Sequence, residues 1–221
     1  MLHFFSKYKF LALVLLVLSV IIISIIYSIL NPTVVLKVYQ PAEVNFELVD
    51  STLQHVKKYH TIADFSLINQ NGKTITQATY KDKIYVADFF FTTCQTICPI
   101  MTDNMRKVQE ELKEDASVML LSHSVTPKID SVKQLKKYAL AKGVDDSKWN
   151  LVTGDKKQIY ALARKSYLVA KDSPEYEYDL IHTENFVLID TEKRIRGFYD
   201  GTKAEDIENL LKDIEILKME K

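Results

Sequence analysis

Cys94 and Cys98 are the only two cysteines of this 221-residue chain, and they stand in Phe91-Thr92-Thr93-Cys94-Gln95-Thr96-Ile97-Cys98-Pro99 at the end of an apolar run. A disulfide closing so short a loop removes little unfolded-state entropy, so the pair is a poor structural staple. Redox or metal chemistry suits it better, whereas two ordinary buried cysteines rarely come in this arrangement. Pro99 fits the first position of a helix. Cys98 then lies at or next to the N-cap and Cys94 in the preceding turn, where free N–H groups and the helix dipole favour thiolate. Both sulfurs are expected to deprotonate more readily than free cysteine. The three intervening residues give a wider bite than Cys-x-x-Cys, suited to two thiolates on one ion, but spacing does not separate metal binding from disulfide exchange.

The elements that must position this turn alternate along the chain. Ile62 to Ile68 and Lys73 to Gln77 flank Asn71-Gly72, a hairpin signal. Ile84 to Phe91 reads as a buried strand leading into the thiols, and Met101, Met105, Val108 and Leu112 mark the inward face of the helix after them. Val118 to Ser122 is a second buried strand. A helix from Ser131 to Ala141 follows, with Asp130 as N-cap and Gly143 just past its end. Leu151 to Thr153 makes a short strand, and Asp155 caps a helix to about Tyr167. Phe186 to Ile189 and Ile195 to Tyr199 form a closing strand pair, and Ile207, Leu210, Leu211, Ile214 and Leu217 form the last helix. This order predicts an α/β fold, a thioredoxin-like mixed sheet flanked by helices, with an N-terminal β-hairpin.

That fold brings a distant loop against the thiol turn, and the loop contains His182. In thioredoxin-type oxidoreductases a cis-proline normally precedes the corresponding strand, but no proline lies between Glu175 and Phe186 here. Two thiolates plus an imidazole make a soft three-coordinate set matched to Cu(I), whereas zinc would want a fourth ligand or a water. His123, after the second strand, is the next candidate ligand. His55 and His60 read as surface groups, and Met101 and Met105 as core. Asp88, inside the apolar strand, is a buried acid that either tunes the thiols or pairs with a lysine or backbone group.

The N-terminus sets the compartment. Phe10 to Leu30 is 21 residues without a charge, enough to cross a bilayer, which takes about 20. Lys7 and Lys9 precede it, so the tip is expected inside and the rest outside. The run exceeds the ~7–15 residues of a signal-peptide core and no small-x-small site follows it, which favours an uncleaved anchor. Nine preceding residues leave no room for a mitochondrial transit peptide, and a bacterial inner-membrane protein facing the periplasm or exterior is the simpler assumption. The expected organisation is residues 1–9 as cytoplasmic tip, 10–30 as transmembrane helix, 31–51 as stalk and 52–221 as the thioredoxin-like domain. Of 29 basic residues, all but Lys7 and Lys9 fall outside, leaving 27 against 29 acidic ones. That balance argues against nucleic acid as a partner.

Asp88-Phe89-Phe90-Phe91-Thr92-Thr93-Cys94-Gln95-Thr96-Ile97-Cys98-Pro99, together with Ser124-Val125-Thr126-Pro127-Lys128-Ile129-Asp130, Leu151-Val152-Thr153-Gly154-Asp155, His182 and the anchor, resembles the Sco/SenC family. The resemblance runs from about Ile62 to the C-terminus. It implies a membrane-anchored thioredoxin-fold protein that binds copper, as Cu(I) or Cu(II), through Cys94, Cys98 and His182. It also implies a role in assembling the dinuclear copper centre of cytochrome c oxidase, with that oxidase's copper-bearing subunit as partner and other copper chaperones or thiol reductants as further ones. Two positions depart from the family pattern. Ile181 stands where many members have an acidic residue, which bears on copper affinity, and Thr126 replaces the Asp of Ser-x-Asp-Pro, which bears on docking. The expectation is a copper metallochaperone rather than an enzyme. A thiol-disulfide oxidoreductase with Cys94 attacking and Cys98 resolving is the alternative. A copper or redox sensor is also open, and a peroxidase is weaker because Pro-x-x-x-Thr-x-x-Cys is absent.

Overall fold

The computed structural model describes residues 8–30, 34–170 and 183–220, and the chain divides into two compact units, the second being Leu36–Lys221. Among the described residues of the first unit, one helix, α1 (Lys9–Leu30), carries no charge after Lys9. Its 22 residues extend about 33 Å at 1.5 Å each, close to the thickness of a bilayer's hydrocarbon layer.

Among the described residues, the second unit is built on seven strands: β1 (Ser66–Asn69), β2 (Thr74–Thr76), β3 (Ile84–Phe90), β4 (Val118–Ser124), β5 (Trp149–Thr153), β6 (Asn185–Ile189) and β7 (Ile195–Asp200). They form one mixed sheet in the order β2-β1-β5-β4-β3-β6-β7, with β3, β4 and β5 mutually parallel and the other pairings antiparallel. The helices are α2 (Ile97–Glu111), α3 (Val132–Lys142), α4 (Lys156–Ala161), continued by a π-helical turn at Leu162–Ser166, and α5 (Ala204–Met219). The β1–β2 hairpin turns where Asn71-Gly72 requires it, with Gly72 at φ 73°, a conformation cheap only for glycine.

Side chains alternate across β3, every residue of which is buried because both faces are covered. Ile84, Val86 and Phe90 pack with α2, α3 and α5 through Met101, Met105, Val108, Leu135, Leu210 and Ile214. Tyr85, Ala87 and Phe89 face the opposite core, which Ile159, Leu162 and Tyr167 close from the α4 side. The helices thus cover both faces, as the order of elements predicts.

Three local features differ from the sequence expectation. α2 begins at Ile97 with Thr96 as N-cap, so Pro99 is the third helical residue; proline is tolerated there because the first-turn N–H groups have no intrahelical acceptor. Ser131, not Asp130, caps α3, its side chain accepting from the Gln134 N–H. The segment read as stalk packs on the domain from Leu36 onward. Val49 and Pro41 are buried, Tyr39 N–H donates to the Ile195 carbonyl, and Arg196 donates to the Leu36 and Lys37 carbonyls. Its short 3-10 turns carry neither helical nor strand periodicity.

Candidate metal centre

Parallel pairing of β3 with β4 sets Phe90 opposite Ser124, and antiparallel pairing of β3 with β6 sets Ala87 opposite Val187. The C-terminal ends of β3 and β4 and the N-terminal end of β6 therefore share one pole of the sheet. The thiol turn leaves β3 at that pole, with the Cys94 N–H donating to the Phe91 carbonyl at 3.2 Å.

Cys94 is partly exposed and Cys98 is buried under the first turn of α2. The Cys98 N–H, second in the helix, points at Cys94 Sγ at 3.4 Å, and the Thr96 hydroxyl lies 3.6 Å from the same sulfur. Thr96 makes no side-chain cap, and Cys94 Sγ supplies the acceptor that an N-cap side chain would otherwise provide. Partial burial works against a Cys94 thiolate. It is outweighed by hydrogen bonds from the Cys98 thiol, the Thr96 hydroxyl and the Thr96 and Cys98 N–H groups, which bring the thiol down to about 7. Cys98 moves the other way. Desolvation first, then its donation to Cys94, push it up to about 12. The expectation that both thiols are acidified holds for Cys94 and fails for Cys98, because burial and a neighbouring thiolate outweigh the helix terminus there. The result is one nucleophilic sulfur at the surface and one protonated sulfur held behind it.

Asp88 lies on the sheet face that Cys98 packs against, between Val86 and Phe90 in the alternation of β3. Burial raises its carboxyl to about 7 against a hydrogen bond from Ser122, and its Oδ1 has no partner among the described residues. No lysine pairs with it among those residues. Ser122 in turn accepts from Trp149 Nε1 at 2.8 Å.

His123 projects from the other face. It is fully buried, stacked on Phe89 at 4.8 Å and edge-on to Tyr167 at 5.2 Å, which removes it from the thiols. His55 is exposed, and His60, partly buried, contacts the Ser166 carbonyl through Nε2 at 2.8 Å. Met101 and Met105 are fully buried core residues. His182, with its neighbour Ile181, lies outside the described residues. Among the described ones, no set of three or more His, Cys, Asp or Glu side chains forms a metal cluster.

The residues that follow His182 are well fixed. Thr183 is buried, and the Glu184 carbonyl accepts from the Gly201 N–H at 2.6 Å. Asn104 of α2 donates to the Gly201 carbonyl at 2.8 Å, tying the entry of β6 to the helix that carries Cys98. Gly201 is required by this approach, since a Cβ there would meet the Phe186 ring at 2.7 Å and the Glu184 carbonyl at 3.0 Å. Sequence reading missed Asn104 and Gly201. Their role lies in backbone contacts that no motif advertises.

A family model described as SCO1/SenC matches residues 53–218. The chain is similar to a SCO1/SenC family lipoprotein from Bacillus anthracis, 35% identical with a TM-score of 0.65 over 72% of this chain and 95% of that one. It is also similar to BsSco, described as having a disulfide switch and as a member of the Sco family of cytochrome c oxidase assembly proteins; that match is 31% identical, TM-score 0.63, over 73% and 95% of the two chains. A third is the copper-bound ScoI of Arabidopsis thaliana, 27% identical, TM-score 0.57, over 69% and 97%. With residues 53–218, three quarters of its length, matched by the family model, this chain belongs to the SCO1/SenC family.

Proposed function

We propose that this protein is a membrane-anchored copper metallochaperone that takes copper as cargo on Cys94, Cys98 and His182 and passes it by ligand exchange to the dinuclear copper centre of cytochrome c oxidase. The observation that carries the reading is the convergence of both sulfurs at the N-terminus of α2, with Cys98 hydrogen-bonded to Cys94 Sγ. Soft paired thiolates select Cu(I), and one imidazole completes a three-coordinate set. The buried Thr183 and the Glu184–Gly201–Asn104 ties support His182 as that imidazole, because they hold the adjoining backbone at the thiol pole. Copper on the Arabidopsis relative and the oxidase-assembly role ascribed to the Sco family support copper as the cargo and the oxidase as its destination. On this reading α1 anchors the chain, the tip with Lys7 and Lys9 is cytoplasmic, and the unit Leu36–Lys221 is the copper-binding domain on the far side of a bacterial inner membrane.

Copper titration of the reduced full-length chain in detergent micelles against a competing Cu(I) chelator tests the reading. One tightly held copper is expected, lost in Cys94→Ser and Cys98→Ser and weakened in His182→Ala. Full affinity of His182→Ala for both copper oxidation states removes the histidine from the site.

The asymmetry of the thiols favours a second role. An exposed Cys94 near 7 ahead of a protonated, buried Cys98 is the arrangement of an attacking and a resolving sulfur. Reduction of a recipient's disulfide by the pair predicts turnover with disulfide substrates that is insensitive to His182→Ala.

A further inference from the structure

We infer that Asp130 is the positioning residue of the thiol turn: its buried carboxylate gathers Thr92, Ser124 and Thr126 and so fixes the backbone that presents Cys94 to Cys98. The inference rests on the thiol pair being the working site, whichever of its two roles operates.

Asp130 is 0% exposed, and the donors that reach its carboxylate come from the thiol turn, the end of β4 and the loop after it. Oδ2 accepts from the Thr92 N–H at 3.2 Å, the Ser124 hydroxyl at 2.6 Å and the Thr126 hydroxyl at 3.0 Å. Oδ1 accepts from the Thr92 hydroxyl at 2.5 Å. No cation lies within ion-pair distance of it among the described residues.

The proton count fixes the direction of each bond. The Thr92 hydroxyl spends its one proton on Asp130, so its oxygen is the acceptor for Gln134 Nε2 of α3 at 3.0 Å. Ser124 likewise donates to Asp130 and accepts from the Thr126 N–H at 3.2 Å. One carboxylate thus joins the end of β3, the end of β4 and the start of α3, and it grips Thr92 by both backbone and side chain two residues before Cys94. The carboxylate accepts from all four donors here, whereas an amide at the same place offers one oxygen and two hydrogens. Released at Thr92, the turn loses the constraint that holds Cys94 Sγ over the Cys98 N–H, and the effective concentration of one sulfur at the other falls.

The disulfide equilibrium with glutathione reads that quantity without copper. Cys94 and Cys98 each lose a proton and together two electrons to form the disulfide, while one glutathione disulfide is reduced to two thiols. Because these are the only cysteines, the full-length chain in detergent micelles reports on this pair alone. Asp130→Asn is expected to lower the equilibrium constant for disulfide formation at least tenfold, which is about 30 mV. Thr92→Val, which loses the hydroxyl bridge but keeps the backbone bond, is expected to lower it threefold or more, and Thr92→Ser to stay within twofold of the unmodified chain. If Asp130→Asn folds, by Trp149 fluorescence, and leaves the equilibrium within twofold, the inference fails. It fails equally if Thr92→Ser moves as far as Thr92→Val, since methyl packing and not the hydroxyl would then be at work. Should Asp130→Asn not fold, the Thr92 pair decides. An unmodified chain that binds no copper would defeat the metallochaperone reading and leave this comparison intact.

Discussion

Two fully buried titratable groups, Asp88 and His123, set opposite pH dependences of stability that cancel in the native protein. Burial lowers His123 from 6.5 to about 4 against its contact with the Asp88 carbonyl, and its neighbours Phe65, Phe89 and Tyr167 carry no charge at neutral pH. Between about pH 4 and 6.5 the unfolded chain therefore holds a proton on this residue that the folded chain lacks, and stability rises with pH. Asp88 is raised from 3.8 to about 7, and the groups coupled to it are Ser122, Cys98 and Tyr138, all neutral in this range. Between 3.8 and about 7 the folded chain holds the extra proton, and stability falls with pH. Each slope is about 1.4 kcal/mol per pH unit at full proton difference, so over pH 4.5 to 6.5 each contributes about 2 kcal/mol of opposite sign. These two contributions are expected to cancel in the native chain over that window. Asp88→Asn should make stability rise by about 2 kcal/mol, and His123→Phe should make it fall by a similar amount. The depressed carboxylates Asp50, Asp115, Asp145, Asp146 and Asp200 have their full effect above the ordinary carboxylate range, so they do not enter. His60, lowered by its partial burial, adds a slope common to all three chains that cancels in differences. Urea unfolding of the full-length chain in micelles, followed by the single tryptophan, Trp149, reads the domain directly because that ring is 1% exposed. Parallel pH profiles for the two variants would refute the assignment.

Three further perturbations follow from the same contacts. At pH 7 about half of Cys94 is thiolate against about 1% at the ordinary 9.0, and the lower intrinsic nucleophilicity takes back about eightfold, so Cys94 should alkylate roughly sixfold faster than an ordinary exposed cysteine. Cys98, near 12, should stay unlabelled on that timescale, and equal labelling of the two peptides by mass spectrometry would contradict the asymmetry. Gly201→Ala forces a methyl against the Phe186 ring and the Glu184 carbonyl, and is expected to cost about 1–3 kcal/mol in urea unfolding. Arg196→Met leaves Asp190 and Glu220 without the guanidinium and frees the Leu36 and Lys37 carbonyls, and should cost about 3–5 kcal/mol; an unchanged unfolding midpoint would show that Arg194 alone suffices for Asp190.

Elements whose signal is local were legible from the residues. The period-2 and period-3.6 patterns located the strands and helices, Asn71-Gly72 located the hairpin, and Met101, Met105, Val108 and Leu112 fell on the buried face of α2. What the pattern could not show was partner choice at the termini of elements. Asp130 and Ser131 are both good N-caps by type, and the structure assigns the cap to Ser131 because the Asp130 carboxylate is already filled by donors from β3 and β4. Leu36 to Asp50 lacks helical or strand periodicity because it is held by backbone bonds to β7 and by scattered side chains, Tyr39, Val44 and Val49, that pack on the core without a regular spacing. The thiol acidities were only half predictable. A helix N-terminus acts on both sulfurs, but which one is desolvated depends on packing against Phe90 and Met101, visible only in three dimensions.

The topology explains why residues from four separate stretches meet at the thiols. Parallel strands β3 and β4 end at the same pole, so the turn after one and the loop after the other are adjacent without a long connection. β6 runs antiparallel to β3, so its entry, not its exit, reaches that pole, and β7 returns Gly201 to the same place. Each arriving segment contributes a different group, with the sulfurs following β3, the carboxylate of Asp130 in the loop after β4, and the glycine that holds Glu184 at the end of β7. Moving any of these segments to the other pole would require reversing a strand, which would break its pairing with its neighbours. The pairing that buries the core is thus the same pairing that assembles the site, and a variant that disturbs the site without touching the core must act at this pole, through Asp130 or Thr92.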